Sequence, residues 1–297
     1  MGFFKKLFGS DLDGRALATS TDISDYAQID LLRRFVEPRP RHDAQEAMRW
    51  NRVLPRSYDD TLALFVKQGW LTRDGDLFQT TPAAAPFVEE YAARLDRGRQ
   101  RAMEKVRTAI VARDCGEALD IRRQYESSHP LGSADWSGPE PQLSRSSLTR
   151  RILFLNHWLL DGLSPETVEW LKLYAAEQHL WEAYWQLPDA EIPAYVAADL
   201  ASSALTPSEA AYWKAYQLAL YVDNQETWQR CKGGDHVRRI EIAGPEDDHT
   251  CEFCRAEHGQ EYLVARVPEL PHRACTSPLG CRCRYEPVLE SYEDLEA

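Results

Sequence analysis

Residues 251–283 read CEFCRAEHGQEYLVARVPELPHRACTSPLGCRC and carry five of the seven cysteines of this 297-residue chain. They fall as a Cys251-x2-Cys254 pair, then Cys275, then a Cys281-x-Cys283 pair. Two thiolates reach one ion only across a tight turn, which Cys-x2-Cys supplies, and a second cluster downstream completes a tetrahedral site. The spacing predicts a metal site, with a structural Zn2+ as the expected cofactor. The candidate ligands are Cys251, Cys254, Cys275, Cys281 and Cys283, with His272 as a sixth. A closed zinc site takes four. Cys251 and Cys254 form one pair; the second is Cys275 with Cys281 or Cys283, ahead of His272 with one of those two. A closed site leaves no coordination place for substrate, so no catalytic residue is assigned.

Around the cysteines the pattern is that of a small α+β module over 231–297. Val237 to Ile242 alternates as a strand does, and Gly259 to Val264 suggests another. The segment holds few aliphatic residues and is expected to need the metal as a staple. Asp247-Asp248, the Cys251-x2-Cys254 pair, Gly259, Tyr262 and the Cys281-Arg282-Cys283 ending together resemble the C-terminal region of phage Mu F-like head-morphogenesis (minor capsid) proteins. Members of that family end in His-Pro-x-Cys-Arg-Cys. Here Arg273 follows His272 and Cys275-Thr-Ser-Pro-Leu-Gly280 precedes Cys-Arg-Cys, so Cys275 stands as the alternative to the family histidine. The resemblance implies a related zinc-binding fold.

Outward from this module, residues 147–230 read as an aromatic-rich helical domain. Ser164-Pro165 and Thr206-Pro207-Ser-Glu209 are helix starts, each with a hydroxyl at the N-cap and proline at the first helical position. Their stripes of Trp and Tyr at three- and four-residue spacing predict core packing rather than a ligand box. His157 and His179, without paired ligands, read as ordinary core or surface histidines. Residues 128–146 (SHPLGSADWSGPEPQLSRS) are the main expected linker.

The stretch 26–127 predicts a winged-helix-like unit followed by a long basic helix. Ile29, Leu32, Phe35 and Val36 mark one helix before the Pro38-Arg-Pro40 break, Ala44 to Trp50 a second, and Ser57 with Asp60 caps a third that stops at Gly69. Trp70 to Phe78 closes a hairpin around Asp74-Gly75. The helix–helix–helix–hairpin–helix order over 29–92 resembles a winged-helix module in pattern. Arg94, Arg97, Arg99, Arg101, Lys105 and Arg107 then form the most basic stretch, opposed by Asp96 and Glu104 alone. They are the candidate nucleic-acid contacts. Residues 26–113 hold 16 Lys and Arg against 12 Asp and Glu, within a chain of net charge −12. That overall charge argues against nonspecific nucleic-acid binding by the whole surface.

Residues 1–25 read as a tail or linker. No stretch has the length and apolarity of a membrane span, and MGFFKKLFG lacks the apolar core of a signal peptide. Clustered thiols then fit a reducing cytoplasm. Walker A, dinucleotide-binding, Gly-x-Ser-x-Gly, zincin and zinc-deaminase patterns are absent. The expectation is a mainly α, cytoplasmic, bacterial or phage-derived interaction protein with a protein partner. The alternatives are a DNA-binding factor using the basic helix, or a metal-dependent nuclease or other hydrolase with His249, His258 or His272 as base.

Overall fold

A computed structural model describes residues 13–20, 22–42, 54–128, 145–201, 204–234 and 237–289. The chain is mainly helical, with two small three-stranded sheets, and divides into two compact units. Unit 1 comprises Met1–Glu104 and Arg122–Ser137; unit 2 comprises Lys105–Ile121 and Gly138–Ala297. Among the described residues, no helix is long and apolar enough to cross a membrane. The expected helix at Ala44 to Trp50 and most of the expected linker lie outside the described residues.

Unit 1 begins with α1 (Gly14–Thr19) and α2 (Ile23–Arg33). The stretch expected to be a tail is therefore helical from Gly14. Asp13 supplies the reason, since its carboxylate caps α1 by accepting from the amides of Arg15 (3.0 Å) and Ala16 (3.4 Å). Leu17 and Ala18 are buried. β1 (Arg39–Pro40), α3 (Tyr58–Lys67), β2 (Leu71–Asp74) and β3 (Leu77–Thr80) follow, the strands forming an antiparallel sheet in the order β1-β3-β2. Ser57 caps α3, and pairing of Asp74 with Leu77 closes the hairpin through Gly75 at φ 60°. Thr80 joins the hairpin to the end of α2: its amide donates to Phe35 O and its hydroxyl to Leu32 O, each at 2.7 Å. Phe35 is fully buried; Val36, expected beside it on the apolar face, is 50% exposed because α2 has ended.

α4 (Ala85–Val111) is the long basic helix, and the division between units falls within it. Its first turns close the core of unit 1 with Phe87, Val88 and Tyr91. Its last turns put Val106 and Ile110 into the core of unit 2, beside α5 (Cys115–Ser128). Cys115 is buried there, and burial raises its thiol pKa, as expected of a packing residue.

Unit 2 is built on α6 (Arg145–Leu153), α7 (Pro165–Trp181), α8 (Ala194–Asp199) and α9 (Pro207–Gly233). Both predicted caps form: Ser164 accepts from Thr167 N, and Thr206 and Glu209 make a reciprocal capping box. The packing differs from expectation. The fully buried apolar positions are small or aliphatic, including Ala175, Ala176, Leu180, Ala215, Leu218 and Ala219, whereas Trp170 and Trp181 pack half-buried against that core and Tyr212, Trp213 and Tyr216 are half-buried. Alanine lets helices approach closely, so the rings are left to surround the contact rather than fill it. His179 is buried between Thr149 Oγ1 and Asp223 Oδ1, each 3.0 Å from a ring nitrogen. After α9 come β4 (Arg239–Ala243), α10 (Glu252–Glu257), β5 (Gln260–Leu263) and β6 (Arg284–Val288), an antiparallel sheet in the order β5-β4-β6. β6 and the helix between the first cysteines were not anticipated from the sequence.

Gly14 makes the tightest approach in unit 1. A Cβ there would lie 2.5 Å from Cε1 of Phe87, whose ring is packed edge-on to Trp70 at 4.9 Å. Gly14→Ala is expected to force that ring pair apart and lower stability by about 1–3 kcal/mol. A chemical denaturation midpoint equal to the parent's would refute this.

Candidate metal centre

Three stretches of chain bring the thiols together. Cys251 is the N-cap of α10, where its sulfur accepts from Cys254 N at 3.5 Å, so a six-residue helix fixes the first pair. Cys275 sits on a turn closed by its own amide to His272 O at 3.2 Å. The last pair precedes β6, and Gly280 admits the chain to that place. Its φ is +76°, and a Cβ would lie 1.4 Å from Nε2 of Gln217, so only glycine fits.

α9 holds the irregular segment by side chains on one face. Gln217 Nε2 donates to Leu279 O (2.7 Å), and Trp228 Nε1 donates to Val264 O (3.0 Å). Asn224 does more: its Nδ2 donates to Cys283 O at 3.1 Å and its Oδ1 accepts from Tyr285 N at 3.0 Å. These ties make 147–230 and 231–297, expected as separate parts, a single compact unit. Periodicity did not reveal them, because a buried amide on a helix looks in sequence like a solvent-facing one. Arg282 adds a clamp, donating to both oxygens of Asp247 at 2.6 and 2.7 Å while stacking 5.6 Å over Trp213. The hydrogen bonds from Arg282 hold the Asp247 carboxyl well below the usual carboxylate range.

All five predicted cysteines meet. Cys251, Cys254 and Cys275 form one group and Cys254, Cys281 and Cys283 another, with the sulfurs of each group within 4.8 Å of one another. Cys254 belongs to both. The Cys251–Cys275 and Cys254–Cys281 sulfurs are 3.7 and 3.9 Å apart, all five thiols being free. A tetrahedron of sulfurs about 2.3 Å from a central ion has edges of about 3.8 Å, so these two separations suit a thiophilic cation and each group offers it three donors. Cys254, Cys281 and Cys283 are buried, while Cys251 and Cys275 are half-buried.

The electrostatics agree. Burial opposes ionisation of Cys251, yet the amides of Cys254 and Thr276 and the adjoining thiols outweigh it and leave the group at about 6. Thiol hydrogen bonds from Cys254, Cys275 and Cys283 pull Cys281 far down, and Cys254, which donates, is raised correspondingly. Cys275 and Cys283 stand at about 12, the lowering by Cys254 being outweighed by the Cys281 sulfur and by burial. Buried thiols crowded together cannot all ionise unless a cation joins them.

The histidines stand apart. His272 is buried against the Phe253 ring, 5.0 Å between centroids, and belongs to neither sulfur group. Gly244 N donates to His258 Nδ1 at 3.1 Å. The basic stretch divides by role. Arg94 lies 4.7 Å over the Tyr26 ring and donates to Ser20 O at 3.0 Å, and Arg107 pairs with buried Glu177 through two nitrogens at 3.0 and 3.1 Å. These two hold the fold. Arg97, Arg99, Arg101 and Lys105 are exposed.

No family model, curated protein or solved structure matches the chain.

Asn224→Ala would strand the buried Cys283 carbonyl and Tyr285 amide. It should lower stability by about 2–4 kcal/mol, and Asn224→Asp, which turns a buried carboxylate oxygen toward the Cys283 carbonyl, should lose at least as much. Thermal unfolding of either variant at the parent's temperature would show that the amide bridge is not what matters.

Proposed function

We propose that the cysteine cluster binds one zinc ion in a closed structural site, and that the chain acts by interaction rather than catalysis. The observation that carries this reading is the pair of sulfur separations, 3.7 and 3.9 Å, matching the edges of a sulfur tetrahedron. When bound, the ion supplies charge neutralisation and a cross-link. Cys254, common to both groups, is the ligand on which the others converge. Cys251 and Cys275 complete three ligands with it, and Cys281 or Cys283 is the fourth. His258 is engaged with Gly244 through Nδ1, which speaks against that histidine as a free general base.

The likeness of Asp247–Cys283 to the Mu F-like head-morphogenesis proteins is the ground for a bacterial or phage-derived interaction role. Zinc would there fix a recognition surface for a protein partner. The order of helices in unit 1, with a three-stranded sheet β1-β3-β2 ahead of a long helix, supports the winged-helix-like reading of that unit.

A second reading, association with DNA, is favoured by the exposed Arg97, Arg99, Arg101 and Lys105. α3 would be a poor groove reader, since Asp59 and Asp60 accompany its single Lys67.

Protein purified without added metal should contain one zinc per chain. X-ray absorption should show sulfur neighbours alone, and Cys254→Ser should lose the metal and melt the C-terminal sheet. An oxygen ligand at the ion would instead favour the hydrolase reading. For DNA, replacing Arg97, Arg99 and Arg101 by Gln should abolish binding at physiological salt and, where binding persists at low salt, flatten the salt dependence by about 0.9 log units per lost phosphate contact. Affinity unchanged in that triple variant would rule the helix out.

A further inference from the structure

Lys214 is a cation that neither the fold nor the cysteine cluster uses. It lies half-buried on α9, and among the described residues its Nζ donates to a backbone carbonyl, Leu159 O at 3.2 Å, and pairs with no carboxylate. A carbonyl satisfies one of three donors and neutralises nothing, so withdrawing this ammonium from water is unfavourable without an anion. Burial lowers its pKa accordingly.

The residue lines a cavity of about 380 Å³, within the range of small-molecule sites. The cavity is bounded by α9, the short 3-10 turn Trp158–Leu160 and the Pro271–Cys281 loop, all in unit 2. That loop contributes a second cation, Arg273, whose guanidinium rests 5.3 Å over the Trp158 ring. Trp158 and Trp213 give the cavity flat apolar surface. Two acids also line it, Asp161 and Asp199, and both are solvent-exposed. Asp199 is already engaged at the start of α7, where it accepts from Ser164 N at 2.8 Å and from the Ser164 hydroxyl.

We propose that this cavity binds a small organic anion, its carboxylate or phosphate head taken by Lys214 and Arg273 and its flat apolar body lying against Trp158 and Trp213. Two cations from different walls fix the head, and indole faces favour a planar body over a branched one. Cys275 and Cys281 form part of its wall, so the site requires an intact cysteine lobe.

The test is calorimetric titration of the full-length, metal-loaded protein with phenyl phosphate, benzoate and, as the uncharged control, benzyl alcohol. At least one acid should bind with one-to-one stoichiometry, and the alcohol should not. Preference for phenyl phosphate assigns a phosphate ester; preference for benzoate assigns a carboxylate. Lys214→Met and Arg273→Gln should each weaken binding about tenfold or more, the size of one charge-assisted contact. Arg273 is exposed, so its variant should keep the parent's melting temperature and metal content and carries the test if Lys214→Met fails to fold. No binding of either acid at millimolar concentration, equal binding of the alcohol, or parental affinity in Arg273→Gln would overturn the proposal. Cys254→Ser, which would also loosen the Pro271–Cys281 wall, tests the zinc reading, whereas Arg273→Gln, which leaves every cysteine in place, tests the cavity.

Discussion

The backbone of the cysteine-bearing segment has few partners of its own, and helix α9 provides them. Between Cys275 and Cys283 the chain runs without regular structure, so its amides and carbonyls cannot be satisfied by a ladder. Gln217, Asn224 and Trp228 stand seven and four positions apart in sequence, a spacing that returns to one helix face, and each bonds this lobe. Hydrophobic contact is supplied by Ile240 and Ile242, alternate residues of β4 that are both fully buried. The lobe is thus held by directed bonds to α9 as well as by apolar packing. The thiol cluster sits where those bonds converge.

That arrangement gives the cluster its character. Four other sulfurs crowd around that of Cys254, and the bidentate Asp247–Arg282 pair ties the approach to the first cysteines to the last pair. Negative charge on one sulfur is stabilised by its neighbours only while they stay protonated. A bound cation removes the competition, which is why metal uptake and completion of the lobe belong to the same event in the proposed reading.

Much of this was legible in residues 251–283. Cysteine spacing announced a convergent thiol set, and all five do converge, because short turns around Cys251, Cys254 and Gly280 are local features that local sequence encodes. The helix caps at Ser164 and Thr206 and the turn at Gly75 were readable for the same reason. Three things were not. The helix at Gly14–Thr19 hides in a polar stretch, since its support is Asp13 and the distant Phe87. The aromatic stripes of α7 and α9 carry helical periodicity without saying which face meets another helix, and alanines won that contact. The amides of Gln217 and Asn224 find partners some sixty residues away in sequence, 62 and 59 positions respectively, which no periodic signal reports.

The Asn224 bridge has a consequence for self-association. β6 lies at one margin of the sheet, with β4 on its inner side. At such a margin the unpaired amides and carbonyls are a template on which another chain can add a strand. Here the Cys283 carbonyl and the Tyr285 amide, the groups an incoming strand would seize first, are already engaged by a side chain that imitates a peptide unit. The opposite margin is β5, only four residues long and bearing Glu261. Brevity and charge make it a poor template as well, so the sheet is blocked from lateral growth by a helix on one side and by its own shortness on the other.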